Sequence, residues 1–164
     1  MPDFFGDHMV LQAEKPVKLW GQATPGAEVT VVFTDKAAQT RADEQGKWSL
    51  KLPAMPASAA GADLTIRDGA NTLQFKDVLV GEVWFASGQS NINWPLRKFD
   101  PEQAAIRAAD YPQIRFFQAG QVADAGPHDN AEGQWTICTP ETAGEFSGTG
   151  YFYAKKLHAE LGVP

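Results

Sequence analysis

The stretch Val80–Asn91, VGEVWFASGQSN, divides the chain into two textures, and its reading decides the fold. Upstream, apolar and polar residues alternate. At Val80–Ala86 the alternation gives way to a nearly continuous apolar run, the pattern of a strand covered on both faces, as in a parallel sheet. The run stops at Ser87-Gly88-Gln89-Ser90-Asn91, which leaves one serine fenced by two side-chain amides. A Trp94-Pro95 pair follows. Gly, Ser and Asn are ordinary turn residues, so a plain surface turn is one reading. The other is a nucleophile held at the carboxyl end of a strand, where open α/β sheets place their sites.

Working back from Val80, residues 1–80 read as short strands between turns. Val29, Val31 and Phe33 fall on one face of EVTVVF, and Trp48, Leu50 and Leu52 on one face of KWSLKL. Leu64 and Ile66 in DLTIR, and Leu73 and Phe75 in NTLQFK, repeat the period of two that marks half-buried strands. Thr24-Pro25-Gly26, Asp43–Gly46, Ala60-Gly61 and Asp68–Asn71 supply turn chemistry between them. No helical period appears here. The spacing predicts an antiparallel β-sandwich over residues 1–78.

Working forward, DPEQAAIRAAD predicts a helix with Asp100 as N-cap and Pro101 at its first position. YPQIRFFQ predicts a strand. AGEFSGTGYFYAKKLHAELG is the strongest helical pattern, with Phe146, Tyr153, Leu157 and Leu161 at helical spacing. Lys155, Lys156 and His158 suit its C-terminal dipole, and Gly162 can close it. Strand, helix, strand, helix over residues 79–164 is the beginning of an α/β domain.

Composition narrows the function classes. With 43% hydrophobic and 21% charged residues, the chain is globular rather than disordered. A domain of this size buries roughly two-thirds of its unfolded surface and needs no covalent staple. The net charge is −6. Residues 1–80 hold 8 basic against 10 acidic side chains, and residues 81–164 hold 6 against 10. Neither half carries a basic cluster, which argues against nucleic acid as partner. No apolar run approaches the roughly 18 residues of a membrane span, so no membrane role is expected. Met1-Pro2-Asp3 lacks the basic start and apolar core of a signal peptide. Cys138 is the sole cysteine, so no intrachain disulfide forms. No His-x-x-x-His pair exists, and neither a metal nor another cofactor is expected.

A nucleophilic serine needs a base, a group that orients the base, and donors for the oxyanion. By local pattern Ser90 is ambiguous, because Asn91-Ile92 after it do not match the Gly-x-Ser-x-Gly elbow. Three histidines are available. His8 reads as a structural hydrogen-bonding residue and His158 as a dipole-facing surface residue. His128, between Asp124 and Asp129, lies in a loop-like stretch and is the first candidate for a local base. Gln89 and Asn91 either hold the turn through the backbone or aim an N–H at a substrate carbonyl. Turn-holding is preferred for Gln89, and both roles stay open for Asn91. Trp94 either floors a sugar or acetyl pocket or packs against its surroundings. Trp20, Trp48, Trp84 and Trp135 read as core residues.

Six segments, in order, resemble the sialate O-acetylesterase family: Phe4–Gln12, Lys15–Val31, Gly46–Pro53, Phe75–Asn91, Trp94–Leu96 and Glu145–Pro164. The resemblance implies a serine esterase in which an N-terminal β-domain precedes an SGNH-hydrolase-like, flavodoxin-like α/β domain. It also implies that the serine of Gly-Gln-Ser-Asn, here Ser90, is the nucleophile. Ile92 replaces the family's usual Met, an apolar swap of similar volume. A second departure matters more. The family's downstream Asp-x-x-His segment, which supplies the catalytic Asp and His, has no counterpart here.

The chain is therefore expected to be the front portion of a longer carbohydrate O-acetylesterase, with residues 79–164 an incomplete α/β domain. Its expected substrate is an O-acetylated sugar, sialic acid or another, and the chain alone is expected to be inactive. The remaining part of the esterase, as a second chain, is a candidate partner. The resemblance further implies a periplasmic or extracellular location. The alternatives are a carbohydrate-binding β-module and a non-catalytic subunit of a split esterase.

Overall fold

The computed structural model describes residues 1–69, 71–120, 126 and 130–164. His128, Asp124 and Asp129 lie outside the described residues. Strands dominate the first half. β1 (Val10–Gln12), β3 (Glu28–Phe33), β4 (Lys36–Arg41), β6 (Ser58–Asp68) and β7 (Asn71–Gly81) form a five-stranded sheet in the order β1-β7-β6-β3-β4. β2 (Val17–Gln22) and β5 (Lys47–Leu52) form a separate antiparallel ribbon in which Leu19 faces Leu50.

Both sheets contribute to one hydrophobic cluster. Val29 and Val31 of β3, Leu19 of β2, Leu52 of β5 and Leu64 of β6 are wholly buried within it. The period of two is realised in burial: alternate residues of β3 and β5 point inward along each strand. No helix interrupts the described residues between 28 and 75.

Three expectations for this half need correction. The large sheet is mixed, because β1 pairs parallel to β7, with Val10 opposite Leu79. Ala60-Gly61, read as a turn, lies inside β6, because β6 and β7 are each 11 residues long and absorb the irregularity as bulges. Leu73 is 43% exposed although Phe75 is buried, since the outer end of β7 extends past the core.

The second half departs further. The strand expected over Val80–Ala86 ends at Gly81, and no strand pairs with residues 82–89. Trp84 and Phe85 are exposed, Phe85 at 92%. An apolar run is buried on both faces only where neighbouring strands and helices supply those faces, and none of the described residues does so here. The helix expected from Asp100 shrinks to α2 (Ala104–Arg107), which begins after Gln103 in the left-handed region. Pro101 is outside it. Asp100 still caps: its buried carboxylate accepts from the Ala104 and Ile106 amides at 2.9 and 2.8 Å.

The strand expected near residue 111 is β8 (Tyr111–Phe117). It pairs antiparallel with β9 (Trp135–Cys138), an element not foreseen. Among the described residues after 81 there is no parallel strand pair.

α3 (Gly148–Leu161) follows, with Ser147 as N-cap and left-handed Gly162 as C-cap. Its buried face is Gly148, Gly150 and Tyr151, whereas Tyr153 and Leu161 of the expected apolar stripe are about half exposed. A second hydrophobic cluster joins Leu96, Ile114, Cys138, Phe146 and Tyr151. The Phe116 and Phe146 rings stack beside it, 4.7 Å apart. Cys138 is free and fully buried, and burial pushes its thiol pKa up to about 11. No helix among the described residues is long and apolar enough to cross a membrane.

Candidate functional site

Ser90 opens α1 (Ser90–Asn93), a single four-residue turn carried between Gly81 and the second cluster. The segment just after it is firmly tied to the start of α3. The Gly148 amide donates to the Trp94 carbonyl at 2.9 Å, and the Leu96 amide to the Phe146 carbonyl at 2.8 Å. Pro95 forms a bridge with Ser147, and Leu96 is fully buried. This close approach needs a glycine at 148, because a Cβ there would run into the Phe99 ring. Gly148 at the head of α3 therefore lets the segment that follows the Ser90 turn lie close against the helix.

The four residues singled out from the sequence lie on one short exposed segment. Gln89, Ser90 and Asn91 are all exposed. Among the described residues, neither amide side chain nor the Ser90 hydroxyl has a hydrogen-bond partner. The turn-holding role expected of Gln89 is thus not observed; the turn closes through the backbone, with Ile92 N–H donating to the Gln89 carbonyl at 3.1 Å. Trp94 is 44% exposed, so it is not a packed anchor. Its ring lies 5.8 Å from that of Phe99, and Lys98 Nζ stands 5.4 Å from it. Trp84, also read as core, is 56% exposed with its ring 5.5 Å from that of Tyr153.

The two described histidines, His8 and His158, are engaged elsewhere. His158 Nδ1 pairs with the Val163 carbonyl at 2.8 Å. His8 Nδ1 pairs with Asp77 Oδ2 at 2.7 Å, and Arg115 Nη1 reaches the same oxygen at 2.8 Å. Burial pushes the Asp77 carboxyl up, but hydrogen bonds from Arg115 and His8 outweigh it and hold its pKa below the ordinary value. Sequence reading missed Asp77 and Arg115 altogether, because no local pattern links residues 38 positions apart. Among the described residues no histidine or carboxylate hydrogen-bonds Ser90, and no group of three or more His, Cys, Asp and Glu side chains is placed to hold a metal ion.

No protein-family model matches the chain. It is 27% identical over 161 residues to the sialate O-acetylesterase of Mus musculus and 29% identical over 164 residues to that of Homo sapiens. These alignments cover 92% and 91% of this chain, and 30% of each relative. The chain thus spans about a third of the length of those relatives. A crystal structure of a carbohydrate acetylesterase from Xanthomonas citri superposes with a TM-score of 0.96 at 39% identity, over 100% of this chain and 38% of that one. In sequence the chain is similar to a portion of the sialate O-acetylesterases, fitting an N-terminal portion of them, and in fold to a portion of a carbohydrate acetylesterase.

Proposed function

We propose that this chain is the portion of a carbohydrate O-acetylesterase that carries the serine nucleophile, Ser90. The observation that carries the reading is an exposed, unpartnered hydroxyl on a turn pinned to α3, in a chain similar throughout to acetylesterases. The substrate in this reading is an acetyl ester of sialic acid or another sugar. Ser90 Oγ would bond to the acetyl carbon while its proton passes to a general base. The sugar oxygen would leave with a proton, and water would release acetate.

In this reading Asn91 or Gln89 turns an amide N–H toward the developing oxyanion, and Trp94 floors the sugar site. The base lies outside the described residues. It belongs, in this proposal, to the remainder of the esterase, acting as a second chain. Residues 1–78 then form a β-sandwich domain, and residues 79–164 the start of an SGNH-like α/β domain. A periplasmic or extracellular site of action accompanies this reading, by likeness to enzymes that attack glycans.

The rival reading is a carbohydrate-binding β-module. It calls for exposed aromatic side chains on a sheet face. The strongly exposed aromatic residues, Trp84, Phe85, Trp94, Phe99, Phe152 and Tyr153, all lie outside β1–β7. That distribution supports the esterase reading.

The test is hydrolysis of p-nitrophenyl acetate. The 164-residue chain alone is expected to stay at the buffer rate, with Ser90→Ala changing nothing. The complete esterase is expected to lose a factor of about 10⁴ or more on the same substitution. Turnover by the isolated chain that depends on Ser90 would overturn the role assigned to an outside base and direct attention to His128.

A further inference from the structure

We propose that His8, Asp77 and Arg115 form a latch that seats the β8–β9 hairpin on the β1–β7 layers and can open without unfolding either hydrophobic cluster. The latch starts in a bulge. Ala62 of β6 faces Val78 of β7, but Leu64 faces Phe75, so β7 holds one residue more than its partner here. Asp77 occupies the bulge at φ +54°, and His8 opposite it stands at φ +65°. Both are left-handed and neither is glycine, an arrangement that costs backbone energy and persists only where the surroundings enforce it. Gly61 completes the arrangement, since a Cβ there would collide with the Asp77 carboxylate. Bulge, two strained residues and a glycine together direct one carboxylate out of the ladder.

That carboxylate meets a cation from the other half of the chain. The Arg115 side chain is only 4% exposed, with Nε donating to the Pro112 carbonyl at 2.8 Å and Nη1 to Asp77. His8 and Asp77 retain 39% and 38% exposure, so solvent reaches the latch from one side. Beside it, Trp135 Nε1 donates to the Phe4 carbonyl at 2.7 Å, and the Phe4, Phe117 and Trp135 rings meet at 5.4–5.6 Å. These are contacts between the hairpin and the N-terminal segment. Neutralising Asp77 leaves the Arg115 cation buried without its counter-ion, a heavily penalised state. Lifting the hairpin restores water to the guanidinium at the expense of these aromatic contacts, the Trp135–Phe4 hydrogen bond and the bond from the Asp3 amide to Asn130 Oδ1, with the interiors of both clusters left intact. Opening at the junction is therefore the route of relief, ahead of unfolding either cluster.

Amide exchange followed by mass spectrometry, on the full 164-residue chain, tests this. Asp77→Asn should speed exchange in residues 4–8 and 135–138 by about 10-fold or more, with Glu28–Phe33 unchanged. Adding Arg115→Met removes the stranded cation and should restore much of the junction's protection. Asp77→Gly relaxes the left-handed residue but lacks the carboxylate, so it should open the junction as Asp77→Asn does. Should Asp77→Asn alone fail to fold, recovery of a folded chain by the double variant would support the latch. Equal acceleration everywhere, no acceleration, no rescue by Arg115→Met, or a protected junction in Asp77→Gly would each overturn it.

Discussion

Residues 1–81 and 82–164 use apolar side chains in opposite ways. In β3 and β5 every inward position of the period-two pattern is buried, because the two sheets lie against each other within the same stretch of chain. After Gly81 the most apolar stretches, Glu82–Ala86 and the outer face of α3, are turned to solvent. The second cluster is instead assembled from scattered residues such as Leu96, Ala109 and Cys138. Periodicity tells which side chains seek cover. Whether they find it depends on what else is folded beside them.

The contrast can be broken by substitution. In the first half, Leu52→Ala removes a wholly buried side chain of the shared core and should cost about 2–5 kcal/mol, read as a lower midpoint in urea. In the second half the sharpest dependence is on closeness rather than apolar bulk. Gly148→Ala pushes a methyl group against Phe99 and should cost about 1–3 kcal/mol, with faster exchange in residues 94–96. Removing an apolar group from the exposed stretch should do far less: Phe85→Ser should leave the urea midpoint within about 0.5 kcal/mol of wild type. It should also reduce self-association in sedimentation velocity, since Phe85 and Trp84 expose apolar surface. A large destabilisation by Phe85→Ser would refute the division between the halves.

Acid probes the boundary between them. The Asp77 carboxyl has a folded pKa held below its ordinary value, so its contribution is present above the usual carboxylate range. It is lost as pH falls through the depressed value. Protection of the Trp135–Cys138 amides should therefore decline in acid below that range, and Asp77→Asn should remove the acid limb. The carboxylate is partly open to solvent, which moderates the effect.

Much of the first half was legible because its structure is local. Turn residues and alternating side chains specify hairpins such as β3–β4, whose partners lie within a few residues. β1 was illegible for the opposite reason: its parallel partner, β7, begins about 60 residues later. The bulge at Asp77 has no local signature, since it exists only in the register between β6 and β7. α3 was legible as a helix through its caps and composition, but its buried face was misread. Gly148 and Gly150 pack by letting Phe99 and Phe116 approach, and small residues carry no hydrophobic signal. Of the candidate site, the segment Gln89–Trp94 could be singled out from sequence, and all of it except the half-buried Ile92 is exposed. The anchoring of that segment to α3 could not, because it runs through backbone groups.

The buried thiol of Cys138 gives the second cluster a built-in clock. It is the chain's single cysteine, so any thiol reagent has one target. In the closed state that target is shielded twice, by full burial and by a pKa near 11 that leaves almost no thiolate at neutral pH. Modification must therefore await an opening of β9 away from Ala109, whose carbonyl the sulfur contacts at 3.8 Å. At low reagent concentration the labelling rate measures the fraction of time β9 spends open. At high concentration it measures the rate of opening. The β1–β7 layers hold no cysteine and stay silent throughout, so one chromophoric reagent times the motions of one half of the molecule without labelling the other.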